Sequence, residues 1–442
     1  MQDYDKHGYM SNDKIFIQIA AYRDPQLVPT VKDCIENAKW PENLVFCIAW
    51  QHGLEENINE IKQLKNVKII DIPYMESKGA CWARNKIQQE YSGEKYTLQL
   101  DSHHRFVKNW DELVIGMYKQ LQEMGYKKPL LTSYIPSFDP DNDPAARIPT
   151  PWKMDFDRFI PEGAIFFLPA SIDDWRERSA PVPSRFYSAH FCFTSGEFCV
   201  EVQHDPEYYF HGEEISIAVR AFTHGYDLFH PHKVIAWHEY TRKGRTKHWD
   251  DHVGSRKESI IDNKDWADRN NSCHKRNRIL FSMDGEDYKS INWGKYGFGT
   301  VRTLRDYEKY AGINFKKRAV QQETIEKIYP PNSFWKFEDE KTWEDSFLQI
   351  FKHCIDLQNS QFKENDYDFW CVAFEKHDNS LIHRQDADKD EVERLLKEAR
   401  DPNGDLYIKL WRTFNTSEKP HHWVVWPHSK SKGWGERIVG YL

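Results

Sequence analysis

KIFIQIAAYRDP, residues 14–25, reads as a strand-like apolar run over 14–21 that stops at a polar turn, Tyr22-Arg23-Asp24-Pro25. Outward from it the same rhythm continues. Residues 28–38 have helical spacing, 44–50 are strand-like, 55–64 helix-like and 67–72 strand-like, which is a βαβαβ pattern. A helix-like 80–91 and a strand-like 96–100 follow, and the latter runs into Asp101-Ser102-His103-His104. The segment predicts an α/β fold with a mostly parallel open sheet, whose ligand lies beyond the carboxyl ends of the strands. The loops after Ala20 and Leu100 thereby become the candidate site.

Further along, residues 136–183 are rich in Pro, Asp and Arg and lack periodicity, so they are expected as long ordered loops over the site. Residues 191–202, FCFTSGEFCVEV, are strand-like and lead to His211-Gly212-Glu213-Glu214 and a helix over 215–224. A short strand over 234–237 ends at His238, and the polar, basic 239–252 is expected as a mobile loop. At 442 residues the chain exceeds what one core organises. Residues 1–330 are read as one domain, and 331–442, with their Trp-rich strand-like runs, as a small α+β or β-rich accessory domain of unassigned role.

The net charge of −8 offers no basic field for nucleic acid or an anionic membrane surface. No run approaches the roughly 20 apolar residues of a membrane helix, and residues 1–10 lack a signal peptide's apolar stretch. The 8 cysteines are scattered, several in apolar runs, and read as reduced core residues. These features suit a cytoplasmic protein with no transmembrane segment. Aromatics make up 15% of the chain, a composition that suits stacking on sugar rings and equally suits an aromatic core.

Asp101 and His103 lie two apart after a strand, so an extended backbone projects both to one side, with Ser102 pointing away. A carboxylate and an imidazole at a strand end can hold a divalent ion, and His238 is the candidate third ligand. The pair alone also reads as a strand-end turn, and His238 alone as an ordinary strand-end histidine. Gly212 lets backbone approach a ligand, while Glu213 and Glu214 open a helix, where they equally suit its dipole.

Taken in order, Tyr22-Arg23-Asp24-Pro25, GACWARN at 79–85, Asp101-Ser102-His103, His211-Gly212-Glu213-Glu214, Trp237-His238 and YGFGTVRTLRDYEKYAGINF at 296–315 resemble the polypeptide N-acetylglucosaminyltransferases that modify hydroxyproline. The motif layout is also similar to that of mucin-type polypeptide GalNAc-transferases. The resemblance covers roughly residues 13–315. It implies a GT-A-type nucleotide-sugar domain, UDP-GlcNAc as donor, Mn²⁺ or Mg²⁺, and retention of anomeric configuration. It further implies Asp101, His103 and His238 as metal ligands, and Tyr22, Arg23 and Asp24 against uracil and ribose. Arg84 would lie near the ribose or diphosphate, Asp101 and Ser102 at the donor, and Glu213 and Glu214 by the sugar or the acceptor. The implied acceptor is a protein or glycan hydroxyl. A metal-dependent nucleotide-sugar hydrolase and a non-catalytic sugar-binding protein stay open, as does assembly into a homo-oligomer.

Overall fold

A computed structural model describes residues 13–399 and 407–442. They fall into two compact units, one comprising residues up to 318 together with 323–336, the other 319–322 with 337–442.

The first unit is built on strands β1 (Ile15–Tyr22), β2 (Leu44–His52), β3 (Val67–Pro73) and β4 (Tyr96–Leu100), all parallel. Helix α1 (Leu27–Glu36) joins β1 to β2 and buries Leu27, Val31 and Cys34, an i, i+4, i+7 stripe. Between β2 and β3 only Asn59–Lys62 forms a helix, α2, rather than the expected 55–64. Glu55 and Glu56 instead bind Arg23. Helix α3 (Ala80–Gln88) precedes β4, and Gly79 before it has φ +106° with Tyr209 against it. A Cβ on Gly79 would lie 2.6 Å from that ring, so only glycine fits both the backbone and the contact.

Beyond β4 come β5 (His104–Phe106), α4 (Trp110–Glu123) and β6 (Pro129–Thr132). The expected loops over 136–183 contain instead an antiparallel hairpin, β7 (Trp152–Phe159) with β8 (Ile165–Ser171), followed by β9 (Val182–Pro183). The strand expected over 191–202 splits into β10 (Phe191–Ser195) and a single-turn helix α5 (Phe198–Glu201), because Gly196 breaks the run. Helix α6 (Glu213–Thr223), β11 (Asp227–His230), β12 (Ala236–His238) and α7 (His248–Asp251) complete the frame of the site. His238 is thus the last residue inside its strand.

The main sheet has the order β3-β2-β1-β4-β10-β6-β11-β9, with β10 and β9 opposing the rest. It is the open, mostly parallel α/β sheet that the sequence predicts. The chain winds outward from β1 to β3 and returns to place β4 on the other flank of β1. The resulting switch point between β1 and β4 is where such sheets bind ligands.

The second unit is α+β. Strands Gln349–Gln358 and Tyr407–Thr416 pair antiparallel, and a second, five-stranded sheet centres on Tyr367–Glu375 and His422–Ser429. Trp370, Phe374, Leu410 and Val425 form its core with Val392 and Leu395 of the helix Lys389–Glu398. The eight cysteines are all unpaired, and among the described residues no helix is long and apolar enough to cross a membrane.

Candidate active site

A cavity of about 640 Å³ opens at the carboxyl ends of β1 and β4. Tyr22, Asp24, Arg84, Asp101, Ser102, His103, Glu213, Glu214 and His238 all line it. Arg23 does not. With φ +45° it turns outward to Glu55, Glu56 and Asp251 and lies 4.6 Å above the Tyr74 ring.

Two pairings assemble the centre. The parallel register of β1 and β4 sets Leu100 opposite Ile19, so Asp101 emerges beside the Tyr22–Asp24 turn. The antiparallel pairing of β5 and β12 sets His238 opposite His104. One carboxylate oxygen and two imidazole nitrogens, from Asp101, His103 and His238, consequently lie within 4.8 Å of one another. Burial alone would raise the Asp101 carboxyl, but the hydrogen bond with His238 and the charges of Arg84 and His103 hold it well below its ordinary value. Burial, reinforced by His103, pushes His238 well down, which keeps the imidazole in the neutral form that ligates metal ions. His238 Nδ1 is buried and has no hydrogen-bond partner among the described residues.

Ser102 does not point away from this group. Residues 101–103 bend instead of extending, and Ser102 Oγ donates to Asp24 Oδ2 at 2.7 Å. The same oxygen is 2.7 Å from His103 Nδ1, while Asp24 Oδ1 accepts from the Gln26 amide at 2.8 Å. Both Asp24 oxygens are thus engaged within the protein, and the carboxylate orients His103.

The two carboxylates of α6 face different walls. Glu213 is buried and takes bonds from Arg84 Nη1 at 2.8 and 3.0 Å and from Cys81 Sγ at 2.6 Å. Arg84 Nη2 reaches Asp101 Oδ1 at 2.8 Å, so one guanidinium ties the helix to the Asp-x-His turn. Glu214 accepts from Tyr134 Oη and from the Ala189 amide, each at 2.9 Å. Burial, with the Glu213 charge adding, raises its carboxyl to about 7 against the two donors.

The segment 239–252, expected as a mobile loop, folds over the cavity with Glu239, His248, Asp251 and His252 buried. Its Arg245 lies 2.8 Å from Glu239 and 3.3 Å from Asp24, and its Nη1 is 2.5 and 2.9 Å from the two ring nitrogens of His103. Asp251 accepts from Tyr22 Oη at 2.9 Å and from Arg23.

Residues 14–65 and 55–317 match the profile of the family described as Glycosyltransferase (GlcNAc). The chain belongs to this glycosyltransferase family. No curated protein sequence is a significant match. Among solved structures, GalNAc-T7 with UDP, GalNAc and Mn²⁺ is 15% identical with a TM-score of 0.43, over 69% of this chain and 55% of that one. Staphylococcus aureus TarS residues 1–349 in complex with UDP is 9% identical, TM-score 0.35, over 61% of this chain and 72% of that one. A structure of TarS is 8% identical, TM-score 0.34, over 97% of this chain and 77% of that one.

Within this glycosyltransferase the sequence reading missed Tyr134, His190, Tyr240 and Arg245, all lining the cavity. Two had a signal. Tyr134 follows β6 at its carboxyl end, and β10 runs antiparallel with Phe191 opposite Leu100, so His190 lies beside Asp101 at the same edge. The His190 ring stacks between Tyr134, at 5.2 Å, and His238, at 4.3 Å. Arg245 carried no signal beyond the basic character of its segment.

Proposed function

We propose that the protein transfers GlcNAc from UDP-GlcNAc to a hydroxyl of a protein or glycan acceptor, with retention of configuration, and depends on a divalent ion. The convergence of Asp101, His103 and His238 at the floor of one cavity carries this reading. A mixed carboxylate and imidazole set suits Mn²⁺, with Mg²⁺ as the alternative. Such an ion would supply Lewis-acid stabilisation to a departing diphosphate. The unit built around β1 and β4 is the catalytic domain, assigned to residues 1–330, and 331–442 are accessory. The unpaired cysteines fit the reducing compartment of a cytoplasmic enzyme.

The chain's own groups divide the work. Tyr22, Gln51, Tyr209 and His248 line the end of the cavity nearest the first strands and suit a base and ribose. Arg84 and Arg245 bring positive charge to the Asp101–His103 turn, where a diphosphate leaving group needs it. Glu213 holds Arg84 in place, and Glu214 with Tyr134 faces the sugar or the acceptor. Neither glutamate is a free nucleophile, since Arg84 and Cys81 engage one and Tyr134 and the Ala189 amide the other. Retention then follows from attack on the face the diphosphate leaves. The bond from the anomeric carbon to diphosphate oxygen breaks, the bond to the acceptor oxygen forms, and the acceptor proton passes to the departing diphosphate.

The test is thermal. UDP should raise the melting temperature strongly with Mn²⁺ and weakly with EDTA, since ion and diphosphate would bind as a unit. Equal shifts with and without metal would remove the ion from the reading. With UDP-GlcNAc, hydrolysis unaffected by any added protein or glycan acceptor would favour a hydrolase instead.

A further inference from the structure

The C-terminal unit carries a built aromatic surface that the catalytic reading does not use. Strand Tyr367–Glu375 pairs with His422–Ser429, and the register shifts between Tyr367 and Phe369. A bulge of this kind re-aims a side chain. Tyr367 and Trp370 are buried, whereas the two residues between them, Asp368 and Phe369, are both partly exposed. Phe369 faces His428 across the ladder, and His428 faces Trp434 on the next strand. Trp434 is 47% exposed. Its centroid lies 4.5 Å from Trp426, 5.1 Å from His428 and 5.9 Å from Phe369, which meets it edge on. Trp426 is fixed by its indole N–H, which donates to the Gly435 carbonyl at 2.8 Å. Beside the rings, His428 Nδ1 and Asp368 Oδ1 are 2.8 Å apart.

We infer that this face binds a neutral pyranose of a glycan, with Trp434 as the stacking platform and the Asp368–His428 pair reading hydroxyls at the ring edge. A pyranose offers an apolar C–H face to an indole and hydroxyl donors and acceptors around its rim, the combination that rings flanked by a carboxylate and an imidazole satisfy. A wholly apolar partner would bury the remaining polar atoms of Asp368 and His428, leaving them only the bond they share. The neighbouring cations are paired, Lys432 with Glu364 and Arg437 with Glu375, so a polyanion finds no basic field. The surface lies wholly within the C-terminal unit, so the inference stands apart from the catalytic assignment.

The test titrates the full chain with free GlcNAc, GalNAc, glucose, galactose and mannose, with excess UDP present, reading saturation-transfer NMR and tryptophan fluorescence. At least one sugar should bind and quench fluorescence. Trp434→Ala should weaken that binding roughly tenfold or more, and Asp368→Asn should weaken it at an unchanged melting temperature. Hydrolysis of UDP-GlcNAc should be the same in both variants as in the parent chain. If Trp434→Ala lowers the melting temperature, Asp368→Asn alone decides. No binding by any of the five sugars, or parent-like binding in the deciding variants, overturns the proposal. So does a dimer in sedimentation that Trp434→Ala dissociates, which would make the rings an interface between copies.

Discussion

Glu213 and Glu214 are neighbours in the first turn of one helix, yet they belong to different walls of the cavity. Glu213 joins a charged wall, where Cys81 and Arg84 bind it and Arg84 passes on to Asp101, which meets His238. Glu214 joins a neutral wall of Tyr134, the Ala189 amide, His190 and Tyr240. Successive helical residues point about 100° apart, so an identical pair of side chains samples two environments. One carboxylate is matched by a guanidinium, and the other is raised to about 7 by burial. The contrast separates a carboxylate fixed by a guanidinium from one that burial holds well above its ordinary value.

The largest effects should come from the charged wall. Asp101→Ala, His103→Ala and His238→Ala should each lower transfer about a thousandfold or more and raise the Mn²⁺ concentration needed for the remainder. The Asp101/His238 double variant should be little worse than either single one, because groups acting as a unit are not additive. Metal titration of activity checks this. A His238 variant with parental metal dependence would detach β12 from the charged wall.

Arg84→Ala tests the link within that wall. It strands Glu213, and breaking a buried pair costs about 3–5 kcal/mol, so the melting temperature should fall sharply along with activity. Glu213→Gln keeps the shape and leaves Arg84 its bond to Asp101, so it should melt closer to the parent chain. Glu214→Gln should melt closest of all. A thermal melt in which Glu214→Gln is the least stable of the three would reverse the assignment of the two walls.

How much of this was legible in the sequence follows from what each element depends on. The strands of the first half announce themselves because β1, β2 and β4 are nearly continuous apolar runs. The Asp-x-His turn was legible because a sheet of this kind puts its ligand at strand ends. His238 reaches Asp101 through the β5–β12 pairing, and no local signal encodes a three-residue pairing across more than a hundred residues. Arg23 was misplaced because its positive φ turns it outward to Glu55 and Glu56, which helical spacing had assigned to a helix. Asp24 and Ser102 both line the cavity and bond each other, since the bend at 101–103 points Ser102 inward where an extended backbone would point it away. The division between Glu213 and Glu214 depends on which walls the fold brings to α6, so the sequence motif alone is silent on it.

The neutral wall makes a pH prediction. The folded Glu214 carboxyl lies above its ordinary 4.5, at about 7, so its protonated form favours the fold. That contribution is complete below about 4.5 and is lost as pH rises through about 7. Glu214→Gln should therefore flatten the fall in melting temperature across this window. If the carboxylate is the form that serves sugar or acceptor, turnover should rise with an apparent pKa near 7, and Glu214→Gln should erase that limb while lowering turnover about 10–100-fold. Parental turnover and an unchanged limb in Glu214→Gln would confine the residue to its place at the helix end.

The smallest expected change isolates one hydrogen bond of that wall. Tyr134→Phe keeps the ring that stacks on His190 at 5.2 Å and deletes only the hydroxyl that donates to Glu214 at 2.9 Å. That donor favours the carboxylate, so losing it should push the Glu214 carboxyl further up and move the turnover limb to higher pH. One such bond is worth about 1 kcal/mol, which predicts a limb displaced by less than about one pH unit. Turnover at pH 7 should drop a few-fold, and turnover well above the limb should be restored, because the Ala189 amide still orients the carboxylate. Metal dependence should not change, since the deleted hydroxyl donates to Glu214 and the ring that stacks on His190 is kept. A parental pH profile in Tyr134→Phe would mean that some group other than Glu214 sets the limb. A shifted metal requirement would mean instead that the two walls respond as one.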